Sequence, residues 1–536
     1  MKKGVITIYL TITFTILLSM FLAAFEAARQ SAYRVVAESA FQSAVVSGFG
    51  EYHKELLSKY DLFFVDTTYQ SGQVSENAIA DHVSQYLNEN LSVPEKRLLY
   101  AGDFFGDGNA DVSVSSQRFA TDRFGAPFKY QAADYMEDLV SADFISDFTS
   151  LIRVKKEYSL DAESFEAIKE RVFEEAGAGS SGEFIDAEEP SEEEASSDVD
   201  VQPDAEGSSD TELSEEEIKT IRSFQDFDME YRYYKPLEWL VLKEEAAKKS
   251  AKIFNPFDVP SGRISTYKMG DGDLIQTKNS PVDEIFFTEY ILLKCSNYTE
   301  EKEGSFLCYE AEYIIAGRDN DSENLGTVME NIFLIRTVAN IISLKQDQEK
   351  TELIESVAAV LSAVTEVPQA AIEALIYCMW GAGESVYDMR DLLNGEKVSL
   401  IKDADDFRLS LNGGIKSIAS VKAGDTLKLE DKAKTGGTES TGTALSTEIG
   451  SYSAGGKSIG IDIKLSYEDY LRILIYLIPS ELKTLRMMDV VELSIRQTEN
   501  NELFRLDYCV DAVVFEVTIH TSFSSDYILK RRYSYF

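Results

Sequence analysis

The sequence predicts an α+β fold in which one amino-terminal transmembrane helix continues into a long pilin-like stem helix. A two-part, helix-rich body follows, standing outside the membrane. Three observations predict this. Residues Val5–Phe25 carry no charge. Apolar residues recur at helical spacing along most of the remaining chain, with fewer alternating stretches. Helices and strands do not alternate regularly, which argues against a doubly wound sheet.

The uncharged run is 21 residues long; as a helix at ~1.5 Å per residue it spans roughly 31 Å, the thickness of a bilayer's hydrocarbon core. A cleaved signal peptide has a shorter apolar region of about 7 to 15 residues. Residues 1–28 therefore read as a retained anchor, with a cleaved, secreted form as the alternative. Thr7, Thr11, Thr13, Thr15 and Ser19 dilute the run. Such hydroxyls bond back to their own helix or across to a neighbour, and here they suggest a partner helix. Lys2 and Lys3 favour a cytoplasmic amino terminus, with Arg29 and Arg34 counting the other way.

Beyond the span, "EAARQSAYRVVAESAFQSAVVSGFGEYHKELLSKY" carries an apolar stripe at helical spacing: Tyr33, Val36, Ala37, Ala40, Phe41, Ala44, Gly48, Tyr52. The membrane helix thus runs on into water, weakening only at Gly48 and Gly50. Ala40, Ala44 and Gly48 stand four apart, a spacing that lets two helix backbones approach closely. That face packs either on the protein's own domain or on another molecule.

Residues 29–173 form a stem and membrane-proximal α+β unit: a buried strand at 60–66, a helix over "SENAIADHVSQYLNENL", an alternating strand at 110–120, and helical "FKYQAADYMEDLVSADFISDF". Residues 174–213 read as a disordered acidic linker. The stretch 174–217 holds eighteen Asp and Glu with no Lys or Arg, too little apolar surface to offset its ordering entropy. Residues 214–536 form a C-terminal α+β domain. A capping box at Ser214 and Glu217 opens a helix toward Ala251. Helix 282–295, strand 306–317, helix 323–346, two helical patterns between Glu352 and Leu393, helix 467–478, a further helix through Arg496 and strands near 502–522 follow. Residues 434–460, rich in Gly, Ser and Thr, read as a flexible loop. The apolar stretch 355–383 is broken by Glu366, Pro368, Gln369 and Glu373, and a charge at bilayer centre costs about 3 kcal/mol. It reads as a buried hairpin, leaving one span.

The chain of 536 residues is 44% hydrophobic and 11% aromatic, a globular mixture, with a net charge of −41. Removing the acidic stretch still leaves −23. Such a balance repels phosphate backbones and anionic lipid, so neither nucleic-acid binding nor peripheral membrane binding by the body is expected.

No residue is named as catalytic, cofactor-binding or metal-ligating. His53, His82 and His520 lie far apart with no H-x-x-x-H pairing. Cys295, Cys308, Cys378 and Cys509 lack C-x-x-C spacing; Cys295 and Cys308 could pair in an oxidising compartment, or all four could be buried thiols. Asp107, Asn109 and Asp111 imitate the start of a calcium loop, but Val112 replaces its turn glycine and Arg118 its bidentate glutamate. Asp319, Asp321, Glu323 and Glu330 come closer, with Asn324 at the glycine position; Asp321, Ser322 and Asn324 read as helix-start residues. Glu468 and Arg472 lie one turn apart, as in a surface pair worth a few tenths of a kcal/mol. No phosphate-binding glycine loop or serine elbow occurs.

A span beginning after Lys3 and Gly4, closing in Phe25, Glu26 and Arg29, and continuing as an Ala/Ser-rich helix resembles the amino terminus of TadE/TadG-like proteins of tight-adherence pilus systems. The likeness covers roughly residues 1–65. Tyr9 stands where type IV prepilins carry a glutamate, a departure from a processed pilin. "FLCYEAEYIIAGRDNDSENL" (306–325) and "LSYEDYLRILIYLIPSELKTLRMMDVVELSIRQ" (465–497) are similar to an uncharacterised family of membrane-anchored envelope proteins of Gram-positive bacteria. The resemblance implies location and context, and no reaction. The expectation is a non-enzymatic envelope structural or assembly protein without cofactor. Its partners would be the membrane and other envelope or pilus-assembly proteins, or itself through the stem. The alternative is a membrane-tethered enzyme or ligand-binding protein whose site is assembled from residues distant in sequence.

Overall fold

The computed structural model describes residues 2–91, 109–158, 254–263, 280–365, 368–411 and 463–535, apart from residues 74, 76, 404, 405, 410 and 521–525. The acidic linker 174–213, the helix from Ser214 to Ala251 and the loop 434–460 lie outside the described residues. The α+β class holds, and the chain forms two units, each discontinuous in sequence. The first comprises Met1–Val140, Lys252–Asp319 and Leu474–Phe536; the second comprises Ser141–Ala251 and Asn320–Ile473. The division in sequence order at 173 and 214 is therefore not the spatial one. Strand pairing between amino- and carboxy-terminal segments overrides it.

Helix α1 (Lys2–Phe49) is a single unbroken element that takes in both the apolar run and the stripe that follows it. Its apolar window is 0% buried and is long enough to cross a membrane. The hydroxyls of the span satisfy themselves: Thr11 donates to the carbonyl of Thr7 at 2.5 Å, Thr13 to Tyr9 at 3.0 Å, Ser19 to Ile16 at 2.9 Å, and Thr15 to Thr11. They do not require the partner helix they suggested.

The stem half is stitched into unit one. The sheet is antiparallel and centred on β5 (Cys509–His520), with β2 (Asn109–Phe119) along one side and β6 (Tyr527–Ser534) and the two-residue β1 (Val65–Asp66) along the other. Val513, Phe515, Val517 and Ile519 share one face of β5 and pack with Tyr33, Ala37, Phe41, Ala44, Val45 and Phe49 of α1. The Phe41 and Phe49 rings meet Phe515 edge-on, with centroids 6.2 and 6.4 Å apart. Helix α3 (Ala78–Leu91) closes the flank through Ile79, Val83 and Leu87. The Ala40, Ala44, Gly48 face thus lies against the protein's own domain.

The strand expected at 60–66 reduces to Val65–Asp66. A side chain replaces its ladder: the Phe63 amide donates to the Gln131 carbonyl at 2.8 Å, and the Gln131 amide donates back to the Phe63 carbonyl at 3.0 Å. Helices α2 (Lys54–Tyr60), α4 (Asp122–Glu137) and α6 (Pro281–Lys294) complete this side. Residues 306–317, expected as a strand, instead form helix α7 (Glu310–Ala316). The alternating Glu310 and Glu312 are both buried, where their carboxylates accept backbone N–H groups of Ser296, Tyr298 and Phe306. Gly317, at φ 68°, then closes the helix with its N–H on the Tyr313 carbonyl. Helix α12 (Ser480–Arg496) runs through the interior of the unit, and β6 was not visible in the sequence.

Unit two is mainly helical: α5 (Ala142–Glu157), α8 (Asp321–Gln346), α9 (Gln348–Thr365), α10 (Gln369–Leu393), the short pair β3 (Val398–Ser399) and β4 (Lys464–Leu465), and most of α11 (Tyr467–Leu477). Stretch 355–383 is the expected hairpin. Ile354, Ala358 and Leu361 meet Ile372, Ile376 and Trp380, with Pro368 capping α10; Glu366 lies outside the described residues. Helix α8 is also long and apolar enough to cross a membrane, but 72% of its apolar window is buried within the protein. It is a core helix.

A Cβ at Gly48 would sit 2.7 Å from Val83 Cγ2. Gly48→Val should destabilise unit one by about 1–3 kcal/mol, read as a lower thermal midpoint of the detergent-solubilised chain.

Candidate functional site

The chemically richest junction in unit one lies at the start of α12. Just inside the start of α4 the backbone makes a left-handed turn, with Arg123 at φ 48°, Phe124 at φ 59° and Gly125 at φ 84°. Two successive non-glycine residues there cost roughly 1–2 kcal/mol each. A Cβ at Gly125 would lie 2.5 Å from Met488 Sδ and 2.8 Å from Thr484 Cγ2, so the turn presses on α12 where only glycine fits. One turn on, buried Lys129 donates to the Ser480 hydroxyl oxygen at 2.7 Å and to the Glu284 carboxylate. Lys483, also buried, reaches the other oxygen of Glu284 at 2.7 Å.

One carboxylate therefore serves two ammonium groups. Burial pushes Glu284 up, but Lys129 and Lys483 outweigh it and hold the carboxyl below its ordinary value. Burial lowers Lys483. A serine nucleophile needs a neutral base to take its proton. Here Ser480 faces an ammonium already committed to a carboxylate, so the cluster ties α4, α6 and α12 together without activating the hydroxyl.

Further along α12, Asp489 accepts from the Ser261 amide at 2.8 Å and the Tyr313 hydroxyl at 2.7 Å. Burial raises it to about 6. Glu492 takes Arg263 in a two-pronged pair, both bonds 2.7 Å, and also accepts the Leu506 amide at 2.9 Å. Asp258 answers Arg496 and Arg505, each at 3.0 Å. Segment 254–263 is thus clamped onto α12 by charge, with Val259 and Pro260 buried beneath. Glu310 accepts from Ser296 and Phe306 amides at 3.1 Å each and from Ser494 at 3.3 Å; burial still raises it to about 7. On the sheet, buried Asp511 holds Arg118 through bonds of 2.7 and 2.8 Å.

Unit two has its own core of charge. Arg336, fully buried on α8, donates to Asp388 at 2.8 and 3.0 Å and to the carbonyls of Ser399 and Leu400 at 2.8 and 3.0 Å. Lys402 bridges Glu384 at 2.5 Å and Asp388 at 2.6 Å. Glu384 also accepts the amides of Arg408 and Leu409 at 3.1 Å. Burial pushes Asp388 up, and the two cations outweigh it, leaving the carboxyl below its ordinary value. Two cations and two carboxylates, each multiply bonded, fasten α8 to α10.

The residues weighed in the sequence scatter. His53 caps α2 and bonds Asn501 at 3.0 Å; His82 stacks on Tyr69 and bonds Glu51 at 2.8 Å; exposed His520 lies 3.2 Å from Asp111 and 3.1 Å from Asp526. Asp107 lies outside the described residues, and Asn109 and Asp111 are strand residues. Asn320 caps α8 with its side chain on the Ser322 amide, and Asp321 follows as the first helical residue. No disulfide joins the four cysteines; Cys295 and Cys509 are buried. Glu468 and Arg472 do pair, at 2.8 Å, but Arg472 is buried and bonds Asp469 at 2.6 Å as well, so this is no simple surface pair. Among the described residues no group of three His, Cys, Asp or Glu could hold a metal ion.

The clusters on α7, α8, α10 and α12 fall in residues 230–521, which match the model of DUF5702, a family of unknown function. That match covers more than half of the chain. The protein belongs to this family. No curated protein matches the chain, and no solved structure does. The DUF5702 region contains Arg263, Glu310, Arg336, Asp388 and Glu492, whereas Lys129, Arg118 and the whole of α1 precede it. Pattern reading missed Arg336 and Asp388 because the signal, a charge inside an apolar helical run on both partners, reads as an interruption until the partner is known.

Arg336→Leu should cost about 3–5 kcal/mol, because Asp388 stays buried with half its compensation gone; chemical unfolding of the solubilised protein measures it. Glu310 titrates near 7 when folded against an ordinary 4.5, so its stabilising contribution is complete below pH 4.5 and lost as pH rises through 7. Between pH 5 and 8 the wild type should lose on the order of 3 kcal/mol relative to Glu310→Gln. Parallel pH profiles would assign the dependence elsewhere.

Proposed function

We propose that this chain is a membrane-anchored, structural or assembly protein of the cell envelope, acting through protein contacts. The observation that carries this reading is the division of α1. Its first half is bare and apolar, while its second half is bonded into a folded sheet, so a rigid body is fixed to whatever holds the first half. Lys2 and Lys3 support a cytoplasmic amino terminus with the body on the far side. The likeness of residues 1–65 to TadE/TadG-like proteins supports a place beside a Tad-type pilus system; that part rests on the likeness alone. The buried ion pairs fit the same reading, since Glu284 with Lys483, Arg263 with Glu492 and Arg336 with Asp388 each tie one element to another.

The test is fractionation of cells expressing the full chain. Protein should stay with membranes in alkaline carbonate, leave them in detergent, and be cut by protease added outside intact cells. A soluble product beginning near residue 30 would overturn the reading. Leu17→Lys with Phe21→Lys, at about 3 kcal/mol each, should shift the protein out of the membrane fraction.

A further inference from the structure

We propose that the groove between α1 and the outer edge of β6 receives an extended, acidic segment of another protein, which adds as a strand and seats one apolar side chain. This gives the contact reading above a site and a partner. Glu38, Phe41, Gln42 and Val45 recur at helical spacing and line the groove from α1. Opposite them, Leu529, Arg531 and Tyr533 follow the two-residue period of β6. Between helix and strand lies a cavity of about 300 Å³, floored by Phe41, Val45, Phe515 and Leu529. That is the lower end of the ~300–1,000 Å³ range for bound small molecules, room for one large side chain.

The strand beside the cavity has an unused side. β6 pairs with β5 along one edge, and among the described residues no strand or other backbone group bonds the opposite edge. Its eight residues present roughly 26 Å of edge. A row of unpaired N–H and C=O groups is a template for one more strand, and pockets beside it select that strand's alternate side chains. The edge therefore suits an extended chain, and the cavity suits an apolar anchor upon it.

Charge decides which chain. Lys530, Arg531 and Arg532 are consecutive and exposed on this strand, and Arg34 lies over the Tyr527 ring, 4.9 Å from its centroid. Against them stand Glu38, 3.7 Å from Arg531, and Glu516, opposite Lys530 on β5, which leaves the edge basic. The net charge of −41 belongs to the whole chain, and exposed charges beyond a Debye length of about 8 Å are largely screened. Acidic residues flanking the anchor meet the local field. A second copy's β6 would bring like charges face to face, so it is the wrong partner. With Val5–Phe25 in the bilayer, Glu38 stands about 20 Å farther along the helix, whereas the headgroup layer adds only about 5–8 Å. Lipid does not reach the groove.

The experiment measures, by fluorescence anisotropy, the binding of labelled pentapeptides Thr-Glu-X-Glu-Thr, with X as Val, Leu, Phe or Tyr, to the detergent-solubilised full-length protein. At least one should bind saturably with a Kd below about 1 mM. Replacing X by Ala, or both Glu by Lys, should weaken it at least tenfold. N-methylation at X or at both Glu should do the same in one of the two cases, because alternate N–H groups face β6. The exposed changes Gln42→Trp, which blocks the slot, and Arg531→Glu, which reverses its charge, should each cost tenfold in affinity at an unchanged thermal midpoint. No saturable binding, equal binding by both N-methylated peptides, or equal binding to Gln42→Trp overturns the groove and leaves the anchor standing. Binding by protein that washes off membranes supports the groove and overturns the anchor. Dimers dissolved by the peptides give the groove to a second copy and overturn the proposal.

Discussion

Everything in unit one depends on the contact between the upper half of α1 and the inner face of β5. Burying Phe41, Phe49, Phe515 and Val517 is worth on the order of 2 kcal/mol each. The contact also fixes what the stem can offer to others. With Ala37, Ala44 and Gly48 used internally, that face of the helix is closed to a neighbour.

Both units keep charge inside. Arg336 with Asp388, Arg263 with Glu492 and Arg118 with Asp511 are all buried pairs with further bonds to backbone or amide groups. Such pairs add little net stability relative to well-packed apolar residues, but removing one partner is costly, so they penalise alternative packings of helices that are otherwise uniformly apolar. That selectivity matters for α8, whose composition would also suit a bilayer. A buried guanidinium with five acceptors around it is satisfied in the folded unit and would be stranded in lipid.

Much of the architecture was legible because it follows from period and length. Val5–Phe25, the stem stripe, helices α3, α6, α8 and α12, and the hairpin of α9 and α10 all carry apolar spacing that admits one answer. Where reading failed, a buried polar group had reversed the usual sign. Glu310 and Glu312 alternate with apolar residues and so imitate the wet face of a strand, yet both are enclosed and bonded to a neighbouring loop. Tyr60–Asp66 looks like a strand, but Gln131 supplies the hydrogen bonds a partner strand would have given. Strand β6 was hidden because Lys530, Arg531 and Arg532 break its alternation, although such charges are ordinary on a sheet edge. The charge clusters were invisible for a related reason: their partners are distant in sequence, and each half alone resembles a solvated residue.

The Tyr535 hydroxyl donates to the Phe49 carbonyl across 486 positions of chain. Because β5 and β6 come so late, the sticky side of the stem emerges long before the strands that cover it have been made. It must wait through hundreds of residues of synthesis, and a chaperone is the natural shield for that interval. A premature stop anywhere ahead of Cys509 would leave that side bare for good, turning a rigid post into an aggregation-prone stub.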